Sequence, residues 1–499
     1  MERAAPEHGS DGVRRHSRSV RGMASKWWTL LVVCLSVFML LLDITVVNVA
    51  LPDIQRDLGS SFEDLQWVVD AYALALAALL LASGSLADLL GRRRVFVAGL
   101  LLFVTASLLC GLAGSPAFLN AARGLQGVGG AMMFATSLAL IAQEFPPQER
   151  GTALGIWGAT TGFAVAVGPL VGGALTEGFG WEWIFLVNVP IGLITAGITL
   201  MRVPKSAERD PNARIDWPGL VTFSAALFLL VFALIRGNDD GWESTKIVTL
   251  LAAAVVLLGV FVAVELRRDQ PMLDLRLFRI PTFVGAQIAA FSIHASMFSM
   301  FLYITLYIQV VLGYTPFESG LRFLPVSLLS FVAAPIAGKL AERFGVRPFL
   351  GAGLALIGVG LLLMSGIDPS DDWTTLLPGF ILAGIGIGFV NPPLATAAIG
   401  VVEPRRSGAA SGINSTFRQV GTAVGIAGLG AILQGKLTHS LDARGLASPD
   451  AHAAYIDALN ELFVVAAAVA LVGAAFALAL VRRRDFVMSQ GEAPAEVPA

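Results

Sequence analysis

Residues 84–93 read Gly-Ser-Leu-Ala-Asp-Leu-Leu-Gly-Arg-Arg, and residues 338–347 read Gly-Lys-Leu-Ala-Glu-Arg-Phe-Gly-Val-Arg. Both follow the pattern G-x-L-A-acid-x-x-G-x-R, 254 residues apart, and each closes an apolar run. A second correspondence has an offset of 257: Gly151, Gly155, Ile156, Gly168 and Gly173 fall on Gly408, Gly412, Ile413, Gly425 and Gly430. Two matches at nearly one offset indicate a chain built twice over from one unit.

Working outward, each copy sits in a succession of long apolar segments. A helix needs about 20 apolar residues to cross a bilayer. Fourteen runs qualify: 27–51, 65–87, 94–113, 117–144, 151–176, 181–201, 217–235, 247–266, 282–312, 319–341, 348–366, 375–400, 408–435 and 461–481. Composition agrees. Of 499 residues, 56% are hydrophobic and 14% charged, with a mean hydropathy of +0.74; soluble proteins carry about 25% charged residues. A water-soluble enzyme and a disordered chain are both excluded. The net charge of −2 gives no case for nucleic-acid binding. Cys34 and Cys110 lie inside apolar runs and make no disulfide framework.

The repeat pairs the second run with the tenth and the fifth with the thirteenth. Each half then has six spans, with the seventh and eighth inserted between them. This gives an all-α polytopic membrane protein of two six-helix bundles plus two linker helices. Its parts are a basic tail (1–26), an N-terminal bundle (27–202), a linker with two extra helices (203–281), a C-terminal bundle (282–481) and a second tail (482–499). With the N-terminus inside, 26 of the 34 Lys and Arg fall on the cytoplasmic side and 5 outside. That bias predicts both termini in the cytoplasm. Eight of the nine tryptophans sit near span ends, as interfacial indoles do; Trp157 is the exception. Parallel six-helix halves with a site at their interface are a secondary-transporter architecture.

Four motifs resemble those of the major facilitator superfamily, and within it the fourteen-span drug:proton antiporters of bacterial multidrug and antibiotic export. The stretch Leu42-Asp43-Ile44-Thr45-Val46-Val47-Asn48-Val49-Ala50-Leu51-Pro52 resembles that group's first-span motif. Gly84 to Arg94, with Asp88, Gly91, Arg92 and Arg93, resembles the superfamily's loop motif. Arg123-Gly124-Leu125-Gln126-Gly127-Val128-Gly129-Gly130-Ala131 resembles the fourth-span motif. Gly162 and Gly168-Pro169-Leu170-Val171-Gly172-Gly173 resemble the fifth-span motif of antiporters; in the second copy Ile426 replaces Pro169. The resemblance spans residues 27–481 and implies the two-bundle fold, antiport driven by a proton gradient without a cofactor, and a monomer in the bilayer. It also implies that Asp88 acts as a latch, bonding local arginines and facing a neighbouring helix N-terminus.

Charges inside spans mark the candidate chemistry. A carboxylate at mid-membrane costs about 2.5–3.5 kcal/mol even on lenient scales, so Asp43 is a functional candidate. Counted from the outer ends of their spans, Asp43 and Arg123 lie at one depth. Burial favours a neutral carboxyl and a nearby arginine favours the charged one. A pair that separates and rejoins would act as a proton switch; a permanent pair would only fix packing. Asp70 can bind substrate or proton, or simply be hydrated near the interface. Gly168-Pro169 predicts a kink, since proline removes a helix hydrogen bond, and the glycines allow close helix approach. Trp157, Gln126, His294, Phe298, Tyr303, Asn391, Asn414 and Arg418 are candidates for a substrate cavity suited to a large amphipathic molecule. The absence of a Walker motif argues against ATP as driver.

The expected function is proton-coupled efflux of amphipathic drugs or antibiotics across the bacterial cytoplasmic membrane by alternating access, and not an enzymatic activity. The alternatives are a proton-coupled transporter of one endogenous metabolite and a membrane sensor without transport.

Overall fold

The computed structural model describes residues 10–60, 62–205, 216–268, 275–403, 407–437 and 449–486. They are almost entirely helical, with no strand among the described residues. In chain order the helices are α1 (Ser10–Leu58), α2 (Phe62–Leu90), α3 (Arg92–Gly111), α4 (Pro116–Glu144), α5 (Pro147–Phe179), α6 (Trp183–Leu186) and α7 (Asn188–Arg202). Then come α8 (Trp217–Asp240), α9 (Thr245–Glu265), α10 (Pro281–Ile293), α11 (Ser299–Leu306) and α12 (Pro316–Arg322). The chain closes with α13 (Leu324–Phe344), α14 (Val346–Met364), α15 (Leu377–Gly400), α16 (Ser407–Leu437) and α17 (Pro449–Leu480).

Twelve helical segments are long and apolar enough to cross a membrane, or thirteen if α2 counts as one span across a 52° bend. The fourteenth expected span, α5, is a 33-residue helix outside that set; its eight glycines and four threonines lower its hydropathy. Its helix continues through Gly168-Pro169, and a 52° bend falls in α2 between Leu80 and Ala82. The helix α1 begins at Ser10, inside the stretch read from sequence as a tail; its arginines are good helix formers and continue the span's helix backwards.

The repeat has a backbone cause. Gly91 and Gly345, equivalent in the two copies, adopt φ of 98° and 84° where α2 turns into α3 and α13 into α14. Only glycine takes that region freely. Both turns lie on one end of the bundle, here the Gly91 face. The same end holds the start of the membrane span of α1, through Ser25 on the Arg202 carbonyl, and the start of α5, through Lys26 on Glu149.

Apolar burial divides along the repeat. One core gathers residues from α10 through α17, centred on Ile357, Phe380, Leu462 and Phe463. Another is built on α1, α2, α3, α4, α5 and α7 around Phe96, Phe103, Leu138 and Trp157, and takes in Ala395 and Ile399 of α15. The halves meet along two seams. At one, α5 crosses α13 backbone to backbone. At the other, α2 meets α16, and α8 lies across both: Leu227 and Val231 pack with Leu74 and Ala77, alongside Val420 and Ala423. Trp67 of α2 stacks on Phe232 of α8 at 5.8 Å. The partner helix α9 anchors through Phe261 in a cluster with Phe283, Val401 and Ile413.

Candidate transport site

The deepest polar cluster of the N-terminal half centres on Asp43, which is 1% exposed. Arg123 of α4 places Nη1 at 2.5 Å from its Oδ2. Gln126, one turn along α4, donates Nε2 to Oδ1 at 2.8 Å, and Asn188 donates Nδ2 to the same oxygen at 3.2 Å. Gln126 in turn accepts from Arg123 at 2.6 Å and reaches Ser107 at 2.8 Å. Arg123 also donates Nε to the Val68 carbonyl at 2.8 Å, where α2 passes. Its guanidinium lies 4.4 Å from the Tyr72 ring centre and 5.5 Å from that of Phe185, a cation–π enclosure. Six helices thus contribute to one network around a carboxylate that is bonded directly from α4 and α7. Charge-assisted bonds of this kind are about twice as strong as neutral ones.

The expected pairing of Asp43 with Arg123 is present, and Gln126 belongs to the same network. Asn188 and Ser107 were not singled out in the sequence. Uncharged residues in apolar runs carry no insertion cost large enough to flag them, although Asn188 does sit at the break between α6 and α7. The side chain of Asp70 lies outside the described residues, as does that of Pro169.

The fifth-span glycines face two ways. A side-chain carbon on Gly168 would overlap Thr45 of α1, and one on Gly172 would lie 3.0 Å from the Val46 backbone. These two glycines seat α5 on α1 within one turn of Asp43. Gly151, Gly155, Gly158 and Gly162 face the other half, against Gly338, Pro335, Asn391 and Ser330 respectively. Gly173 has nothing within 4 Å of such a carbon.

At the junction of the halves, Trp157 is 1% exposed and tilts against Phe134 at 6.1 Å. The Arg418 guanidinium lies 5.4 Å from its ring centre. Arg418 donates Nε to Asn414 Oδ1 at 3.1 Å, and Asn414 donates to Gln287 Oε1 at 3.3 Å. Gln287 is a further member the sequence did not flag. Asn391 is 1% exposed, and neither of its side-chain polar atoms has a partner. The other cavity candidates are more local. His294 bonds the Ala290 carbonyl at 3.0 Å and stacks on Phe298 at 4.4 Å, in a π-helical turn. The Tyr303 hydroxyl donates to the Ile426 carbonyl at 2.6 Å, tying α11 to α16.

On the Gly91 face, Asp88 accepts from Arg92 Nε and Nη2, both at 3.2 Å. Arg92 reaches the Ala139 carbonyl at 3.3 Å and Arg93 the Leu200 carbonyl at 2.5 Å. The loop motif thus ties α2 and α3 to the ends of α4 and α7. In the second copy, Glu342 lies against the start of α5, its Oε1 2.8 Å from where a side-chain carbon on Gly151 would stand. The acid that reaches the other half is therefore Glu342, counterpart of Asp88. Asp88 lies far from both buried clusters. Asp88→Asn is expected to slow transport at least fivefold while substrate affinity stays within twofold. Initial rates and equilibrium binding on the same preparation check this; a large loss of binding in folded protein would contradict a gating role.

Comparison with known proteins follows the geometry. The family model described as Major Facilitator Superfamily matches residues 33–426 and 326–496. The chain is 39% identical over 415 residues to the multidrug resistance protein Stp of Mycobacterium tuberculosis, covering 83% of this chain and 77% of that one. It is 37% identical over 451 residues to the puromycin resistance protein pur8 of Streptomyces alboniger, covering 89% and 88%. Among solved structures, the proton:xylose symporter XylE superposes with a TM-score of 0.65 at 14% identity, covering 92% of this chain and 97% of the other. That last likeness concerns the fold alone.

Proposed function

The chain belongs to the Major Facilitator Superfamily, a multi-pass membrane transporter and not an enzyme, and from that premise we propose that it expels amphipathic drugs or antibiotics from a bacterial cell in exchange for protons. The single observation that carries the reading is the enclosed carboxylate of Asp43, wired to Arg123 at the point where α5 rests on α1. In this reading the Asp43 carboxylate takes up the proton: neutralised, it would free Arg123 and loosen the helices joined through the pair. The resistance proteins named above support drug efflux as the class of transport. Alternating access by rocking the halves about the α5/α13 and α2/α16 seams, action as a monomer in the cytoplasmic membrane, and cytoplasmic termini belong to the same proposal; the Lys/Arg bias supports the last. The division into bundles at 27–202 and 282–481, joined by the 203–281 linker, is proposed likewise.

Inside-out bacterial vesicles containing the protein test the exchange. Respiration acidifies them, and addition of an exported drug should release protons, read as dequenching of a pH-sensitive dye. With a panel of amphipathic antibiotics that includes puromycin, at least one should dequench the dye several-fold above vesicles lacking the protein. No response to any of the panel, with the protein present in the membrane, overturns proton-coupled export.

A further inference from the structure

From the junction of α5, α15 and α16 we infer that the exported solute is an acid: an amphipathic aromatic carrying a carboxylate or an ionised phenol, held by Arg418. The inference rests on the export reading above and names its substrate class.

Two arginines, Arg123 and Arg418, are buried to 2% exposure or less among the described residues, and they are in opposite situations. Arg123 has Asp43. Arg418, 2% exposed, has only the amide oxygen of Asn414, and its Nη2 has no partner. Among the described residues no carboxylate lies within 4.0 Å of its nitrogens. A buried cation without a counter-charge is strongly disfavoured, more so in a membrane.

The polar atoms around it are also unmet. Trp157 Nε1, Asn391 Nδ2 and Oδ1, and Ser330 Oγ are buried without partners. Buried polar groups in native proteins are nearly all bonded, so several orphans in one place call for a missing occupant. They share a neighbourhood. The Arg418 guanidinium lies over the Trp157 ring, Gly158 abuts Asn391, and Gly162 abuts Ser330. Three of these groups are donors: Arg418 Nη2, Asn391 Nδ2 and Trp157 Nε1. Three N–H donors, one of them charged, suit an oxyanion and repel a cation. Asn391 Oδ1 is left to accept a hydroxyl of the same solute. Trp157, with Phe134 tilted against it at 6.1 Å, gives the donors an apolar aromatic wall.

The test uses the full-length protein in nanodiscs and three probes on one scaffold: 2-naphthoate, 2-naphthamide and 2-naphthylmethylammonium. Naphthoate is expected to bind at least tenfold tighter than the amide, with no binding of the ammonium. Arg418→Gln should erase the preference, and Arg418→Lys should keep part of it. If Arg418→Gln does not fold, the wild-type ranking and Asn391→Ala decide, the latter with an expected fivefold loss for naphthoate. Equal or tighter binding of the amide or the ammonium, no binding of any probe, or an intact preference in Arg418→Gln overturns the inference. So does displacement of naphthoate by millimolar chloride, which would mark an inorganic anion site. The vesicle assay separates the two readings. Export of neutral drugs without acid preference leaves the export reading standing and removes this one. Naphthoate selectivity without any proton-linked export does the reverse.

Discussion

Asp43→Asn abolishes proton-driven efflux, by at least 100-fold, in a protein that still reaches the membrane. The substitution keeps size and removes the titratable group, and the network around it is sensitive to polarity as well as charge. Asp43 Oδ1 accepts from both Gln126 and Asn188. An amide nitrogen there faces two other amide nitrogens. An amide oxygen there instead turns its own nitrogen onto Arg123. Gln126 cannot simply flip in compensation, because its oxygen already accepts from Arg123 and its nitrogen reaches Ser107. Removing the charge also leaves Arg123 buried and uncompensated, at a cost of about 3–5 kcal/mol, so a lower melting temperature accompanies the loss. Drug binding, sited elsewhere, stays within threefold. Vesicle dequenching and nanodisc binding on the same variant read both quantities. Undiminished proton exchange at normal expression would remove Asp43 from the coupling step.

The second large effect comes from a place without charge. Gly151→Val is expected to cut transport at least 100-fold by forcing the halves apart on the Gly91 face. Its first side-chain carbon would lie 2.5 Å from the Gly338 carbonyl and 2.8 Å from Glu342 Oε1. One turn on, a carbon at Gly155 would lie 2.9 Å from Pro335 Cα. Backbone does not yield as a side-chain tip does, so the whole crossing must open. Thiol labelling of a cysteine at Thr152 should then rise severalfold. Gly178→Ala, in the same helix with nothing within 4 Å, serves as control and should keep transport within twofold. Normal transport in Gly151→Val would mean that the α5/α13 crossing is not a closure the cycle uses.

What the sequence made legible was whatever costs free energy to place in a membrane. The depth of Asp43 and Arg123 follows from counting residues, and a carboxylate at that depth needs a cation. The same logic marked Arg418. Trp157 stood out by violating the interfacial habit of indoles. The rest of the network was invisible because Asn188, Ser107 and Gln287 are cheap enough to bury that nothing in the sequence demands an explanation. The seat of α8 was likewise hidden: Leu227 and Val231 would look the same against lipid as against α2 and α16. Gly151 and Gly338 were visible as members of repeats, yet their contact with each other depends on how two helices cross, and that is a property of packing.

The lone guanidinium of Arg418 carries an electrical consequence. In the proposed exchange an acidic solute leaves with its negative charge while a proton enters, so two elementary charges move in the same electrical sense per cycle. Each is worth about 2.3 kcal/mol per 100 mV. At 100 mV the voltage alone then contributes about 4.6 kcal/mol, enough to sustain a solute gradient of more than ~1,000-fold. A neutral drug exchanged for one proton gains half of that energy, enough for roughly 50-fold. Membrane voltage, more than the pH difference, would set how far such an acid is expelled, and a cell that lost its voltage would lose this protection first.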